Sequence, residues 1–241
     1  MMSCILVFYL AVFGSPAQAP AADADALYAQ REDIAHAKQA AHIWAGRLQA
    51  DPRDFEAAWK LARAHYWLGT RAPQKQRKGF LEAGVGAGRT AAALDPRKPE
   101  GHFWMAANMG ALADSFGLRQ GLKYRGAIRD GLLMVLSVDA GYQQGSADRA
   151  LGRWYFKVPA LFGGSRKQSE THLRRSLTYN PNSIASRFFL AETLLGLDRK
   201  AEAIAELQRV VDLPLDPAWI PEDRDFKQQA QRLLVTLRQK R

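Results

Sequence analysis

A chain of 241 residues with 47% hydrophobic content can bury a substantial core as one domain. Its 34 Lys+Arg against 24 Asp+Glu give a net charge of +10, a balance that suits an anionic partner or surface. The cations are dispersed, the densest group being Arg238-Gln239-Lys240-Arg241, and neither an aromatic-basic RNA-binding signature nor zinc-finger spacing occurs, so no nucleic-acid partner is expected.

Residues 3–14 form an apolar run too short to span a bilayer as a helix, followed by the small residues of 15–21. This pattern predicts a secretory signal peptide over residues 1–22 and an exported, periplasmic domain over 23–241. The only cysteine, Cys4, lies in the segment to be removed, which excludes a disulfide framework in the mature chain.

Along the chain, periodicity predicts helices over 27–49, from Asp54 onward, and over 76–94, 100–116, 123–138 and 146–156. Ser165 with Gln168 reads as a capping box for the next helix, and helices over 183–195, 200–211 and 225–238 complete the set. No alternating strand pattern interrupts them.

Three dipeptides punctuate this series, Asp51-Pro52, Asp95-Pro96 and Asn180-Pro181, and Asp139-Ala140 fills the place where a fourth belongs. The second residues of these marks are 44, 44 and 41 residues apart. Each mark ends one helix, because proline cannot continue it and Asp or Asn favours a turn. Ten residues beyond each mark stands an alanine: Ala62, Ala106, Ala150 and Ala191. Twelve before the marks stand Ala40, Gly84, Ile128 and Ser169, and in the last unit Ala203 follows Ala191 by twelve. Small side chains at matched places allow helix axes to approach to about 8–10 Å. This is the packing pattern of tetratricopeptide (TPR) hairpins. The predicted fold is therefore all-α, a right-handed superhelix of about four TPR-like hairpins closed by a C-terminal capping helix. The first three units exceed the last by about ten residues, which places expanded connections at 69–78, 114–123 and 157–166, or else longer helices.

Catalytic chemistry finds little support. The glycine-rich stretch 84–90 lacks the Gly-Lys-Ser/Thr ending of a phosphate loop, and no strand precedes it. His36, His42, His65, His102 and His172 form no metal-ligand spacing, so neither metal nor cofactor is expected. What stands out is aromatic content: Phe103, Trp104, Trp154, Tyr155 and Phe162, with Pro159 between the last two. At helical spacing these serve as core, or they line a groove for an apolar ligand or partner segment. Binding rather than catalysis is the expected mode of action, with an envelope scaffold that uses its basic surface on anionic lipid or polymer as the alternative.

At 151–165, LGRWYFKVPALFGGS, and at 94–117, LDPRKPEGHFWMAANMGALADSFG, the sequence resembles the T component (TatT) family associated with TRAP transporters, over residues 51–234. The resemblance implies a periplasmic protein of TPR-like hairpins, a homotrimer that docks the transporter's solute-binding subunit, and a hydrophobic ligand cavity. No cysteine follows the apolar run, so lipid anchoring is not implied here. A second resemblance, through Trp59-Lys60-Leu61-Ala62-Arg63-Ala64, is to eukaryotic regulators of microtubule dynamics, which share the helical repeat. The signal peptide favours the exported setting over that one.

Overall fold

The computed structural model describes residues 23–239. The expected signal peptide over 1–22 lies outside them. The described residues form eleven α-helices and no strand: α1 (Ala24–Ala29), α2 (Ile34–Ala50), α3 (Phe55–Arg71), α4 (Gln74–Leu94), α5 (Pro99–Phe116), α6 (Leu118–Val138), α7 (Tyr142–Lys157), α8 (Arg166–Tyr179), α9 (Ile184–Leu195), α10 (Lys200–Asp212) and α11 (Ile220–Gln239). The pairs α3–α4, α5–α6, α7–α8 and α9–α10 are the four hairpins, stacked as a TPR superhelix. α1 and α2 precede the stack and α11 closes it.

The punctuation marks are one backbone device used four times. At Asp51, Asp95, Asp139 and Asn180 the backbone turns extended while its N–H still bonds the carbonyl four residues earlier, at 2.8, 3.1, 2.8 and 3.3 Å. Each side-chain oxygen then accepts the N–H two residues on, from Arg53, Arg97, Gly141 and Asn182, at 2.9, 3.1, 2.9 and 2.9 Å. This Asx turn ends one helix and aims the chain into the next. Asp139 makes it without a proline behind it, so the acid or amide is the essential part. The same turn recurs at Asp216, where Ala218 donates to Oδ1 at 2.9 Å just before α11. The dipeptide Asp216-Pro217 is thus a fifth mark that the spacing did not suggest.

Two expectations are corrected. The helix over 27–49 is two, because Asp33 caps a new start by accepting the N–H of Ala35 at 2.8 Å. The connections at 69–78 and 114–123 are not expanded: α3 and α4 are joined by Ala72-Pro73 and α5 and α6 by Gly117 alone, so the extra length lies in the helices. Gln74, Lys75, Gln76, Arg77 and Lys78 are good helix formers and simply extend α4. Only the third connection is a real loop, with a 3-10 turn at Ala160–Phe162 and Ser165 capping α8 through the N–H of Gln168 at 3.3 Å. The stretch 84–90 lies inside α4 and forms no loop at all.

Packing follows a register that the alanine column points to and slightly misses. Ala62, Ala106, Ala191 and Ala203 are buried, but Ala150 is half-buried. α5 and α7 pack far less closely than α3 and α5 do, so Ala150 faces the space opened between units. The tightest contacts fall two residues further on, at Ala64, Asn108, Gly152 and Thr193, all buried. They lie 24 residues after Ala40, Gly84, Ile128 and Ser169 respectively, each on the helix before. A Cβ on Gly84 would collide with the Asn108 amide, while Ser169 Oγ and Thr193 Oγ1 share a hydrogen bond at 2.8 Å. Within the third hairpin, a Cβ on Gly152 would strike Leu173.

The ends of the chain meet through ions. Arg31, buried in the α1–α2 loop, donates to Glu222 at 2.9 Å and to the Ala218 carbonyl at 3.2 Å, and its guanidinium lies over the rings of Trp67 and Tyr28. Arg71–Asp225 at 2.9 Å and Arg224–Glu32 at 2.8 Å flank it. These contacts bring α11 back to the first units and close the superhelix into a ring.

Gly84→Ala should gain about 1 kcal/mol of helix propensity but lose more, for a net destabilisation of about 1–2 kcal/mol by overpacking. Asn108 cannot step aside, since its amide nitrogen is held by the carbonyls of Ala62 and Trp104 at 3.0 and 2.8 Å. Adding Asn108→Ala should recover most of the loss. Urea unfolding of the two single variants and the double variant checks this, and simple additivity would refute the contact.

Candidate functional site

Inside the ring lies a cavity of about 710 Å³, well within the ~300–1,000 Å³ usual for small-molecule sites. The first helices of the hairpins, α3, α5, α7 and α9, turn their inner faces to it, and α11 closes the far side. The lining inherits the 44-residue spacing of the first three units: Tyr66, Gly110 and Trp154 occupy one row, and Thr70, Asp114 and Val158 the next.

Phe103, Trp104, Trp154 and Pro159 all line the cavity. Trp104 packs against Tyr66 at 5.7 Å and edge-on to Phe103 at 5.1 Å between ring centres. Trp154 is fixed by its indole N–H, which donates to the Arg125 carbonyl at 2.9 Å. Tyr155 and Phe162 lie outside this lining. Tyr155 stacks on His172 at 5.3 Å, and His172 in turn meets the buried Asp148 at 2.7 Å, a contact that ties α7 to α8. Phe162 is exposed on the loop, with the Arg125 guanidinium 5.7 Å from its ring.

Several lining residues were not singled out by sequence. Phe188 and Phe189 of α9 meet Phe226 of α11, each at 5.3 Å, and build the opposite aromatic wall. Phe188 stands seven residues past its mark, as Phe103 does, so extending the repeat register would have found it. Arg149, Glu222 and Asp223 carried no such signal, because they depend on where α11 lands.

The polar groups are few and their environments differ. Burial pushes the Tyr66 and Tyr28 hydroxyls up, Tyr28 to about 12, so both remain protonated donors at neutral pH. Burial also raises Asp223, whose Oδ2 accepts the Asp216 N–H at 2.9 Å. Burial presses Arg149 downward. Outside the cavity, burial against Phe80 lowers His65 to about 4, which keeps its ring neutral. Among the described residues no group of His, Cys, Asp and Glu is placed to hold a metal ion. The arrangement can hold an apolar molecule and orient it by a small number of polar contacts.

The sequence model of the family "Regulator of microtubule dynamics protein 1-3" matches residues 21–172, well over half of the chain. The chain belongs to this family. The match spans α1 to α7 and runs into α8, so it covers most of the aromatic wall built by α3, α5 and α7. A search of curated proteins finds no match to the chain. Among solved structures, the chain is similar to the thermophilic TPR protein TTC0263 of Thermus thermophilus, at 22% identity over 87% of this chain and 96% of that one, with a TM-score of 0.65. It is also similar to MamA, at 14% identity over 83% of this chain and 95% of that one, with a TM-score of 0.51. These likenesses show the TPR fold alone.

Replacing Glu222 with Ala should leave Arg31 buried without its counter-ion. The expected cost is about 2 kcal/mol, below the ~3–5 kcal/mol of a fully buried pair because Glu222 keeps some exposure. Amide exchange in α11 should speed up while that of α3 to α6 holds. Unchanged protection in α11 would show that the ring does not close through this contact.

Proposed function

We propose that this chain is an exported helical-repeat binding protein that holds a small apolar guest in its central cavity and presents the loaded ring to a protein partner. The partner class proposed is a periplasmic solute-binding subunit of a TRAP-type transporter, which the TatT resemblance suggests. The observation that carries the proposal is the aromatic cavity itself. Phe103 and Trp104, with Phe188 and Phe226, line a space that no side chain of the described residues fills. Export rests on the signal-like pattern of residues 1–22.

A second reading, docking on an anionic envelope surface, has its own support. Lys78, Arg119 and Lys123 line one surface depression, and Leu161 at the tip of the nearby loop is 88% exposed. Binding to anionic vesicles that vanishes at high salt would favour this reading.

Gly110 offers a clean test of the cavity. It lines the space, and a Cβ added there meets nothing within 4 Å, so Gly110→Phe fills the cavity without a clash at the backbone. The wild-type protein should bind a neutral apolar fluorophore saturably, one per chain, with quenching of tryptophan fluorescence. Gly110→Phe, folded by circular dichroism, should lose at least ten-fold in affinity. Equal binding by both would place the probe elsewhere. In-cell crosslinking followed by identification of a solute-binding subunit tests the partner separately, and its absence would remove the transporter role while leaving the cavity.

A further inference from the structure

We propose that the guest carries a single carboxylate and that Arg149 receives it. The inference rests on the reading of the cavity as a ligand site and adds the chemical class of the ligand.

The cavity has four cationic side chains in its lining: Arg125, Arg149, Arg153 and Lys157. Three have partners of their own. Arg153 donates to Glu192 at 2.5 Å, Lys157 stands 3.9 Å from Asp114, and Arg125 donates to the Leu122 carbonyl at 3.1 Å. Arg149 has neither a hydrogen bond nor an ion pair among the described residues; it is half-buried in the cavity lining, within electrostatic reach of Tyr66. Its nearest acidic influence is Asp223, which lies beyond ion-pair distance and already accepts a backbone N–H from Asp216. Glu222 is committed to Arg31 at 2.9 Å.

A guanidinium partly withdrawn from water and without a counter-ion gains most from an anion that enters beside it. Its planar fork matches a carboxylate in bidentate fashion. The neighbouring acids Asp216, Glu222 and Asp223 set the limit on charge, since a doubly charged head group would meet their repulsion, whereas one negative charge is balanced by Arg149 alone. Next to Arg149 the walls are aromatic and aliphatic, with Tyr66, Trp104 and Phe188 available to an apolar body. The protonated Tyr66 hydroxyl can donate a second hydrogen bond to the same carboxylate. A charged end and an apolar remainder therefore have separate places in one space.

The test compares dodecanoate with dodecanol, by calorimetry at pH 8, on wild type, Arg149→Met and Gly110→Phe. Wild type should prefer the acid by about ten- to a hundred-fold, the range for one charge-assisted contact in a desolvated site. Arg149→Met should erase that preference while dodecanol binds as before, and should leave the melting temperature of the ligand-free protein unchanged or higher, since the half-buried arginine has no protein partner to lose. Gly110→Phe should weaken both ligands. Equal wild-type affinity for acid and alcohol would overturn the carboxylate assignment and leave the cavity reading standing. The same holds if Arg149→Met keeps the preference, or if it lowers the melting temperature as a structural arginine would. Failure of wild type to bind either ligand would overturn the cavity reading, and this inference with it.

Discussion

The Asx turn at Asp51, Asp95, Asp139 and Asn180 is the constraint on which the architecture depends. It stops a helix within one residue and fixes how the chain enters the next, so the same exit geometry recurs at every mark. Repetition of one local geometry makes a superhelix without any long-range instruction. The close approaches at Gly84–Asn108 and Ser169–Thr193 then set how tightly neighbouring hairpins lie. Loss of a side-chain oxygen at a mark would free a backbone N–H and an exit angle together. That is why Asp139 keeps its acid even where the proline is replaced by Ala140.

The cavity follows from an irregularity in that repetition. α7 opens with Gln143, Gln144 and Gly145 at positive φ, an unusual run for non-glycine residues. At Gly145 a side chain would collide with Tyr179 and with Ser176, so the backbone there passes against α8. Beyond this segment α7 stands apart from α5, and the space between units widens where α3 and α5 had been in contact. An evenly packed stack would fill this volume with its own alanines. The half-buried Ala150 marks the place where it does not.

Much of the fold was legible because its determinants are local: the marks, the alanine column, the Ser165 cap and the overall helical periodicity. Helix lengths were less so. An extra turn or two of Gln, Lys and Arg carries no signal that separates a longer helix from a longer loop, and only Gly117 and Pro73 punctuate those regions. The aromatic residues of the middle units could be located, but not their direction. Trp154 and Tyr155 are adjacent, and one faces the cavity while the other stacks on His172. Nothing in the sequence near Phe226 or Asp223 announces that α11 returns to the first unit, because that contact joins residues about 190 positions apart.

The manner of that return bears on how the proposed guest would enter. Most joints between helices in the ring are apolar and tightly packed, as the two hydrophobic clusters spanning α1 to α7 and α8 to α11 show. The joint between α11 and the first units instead relies on Arg31, Arg71 and Arg224 with their acids; Arg224–Glu32 is exposed on both sides and Arg71–Asp225 on the side of its acid. The two outer pairs contribute only about 0–1 kcal/mol each and weaken with salt, and the more buried Arg31–Glu222 pair about 2 kcal/mol, whereas separating an apolar helix face costs more. The ring therefore has one joint far easier to open than the rest, and it borders the cavity at Glu222. Opening there would uncover the cavity and leave the hairpins intact, which suits the guest exchange proposed above.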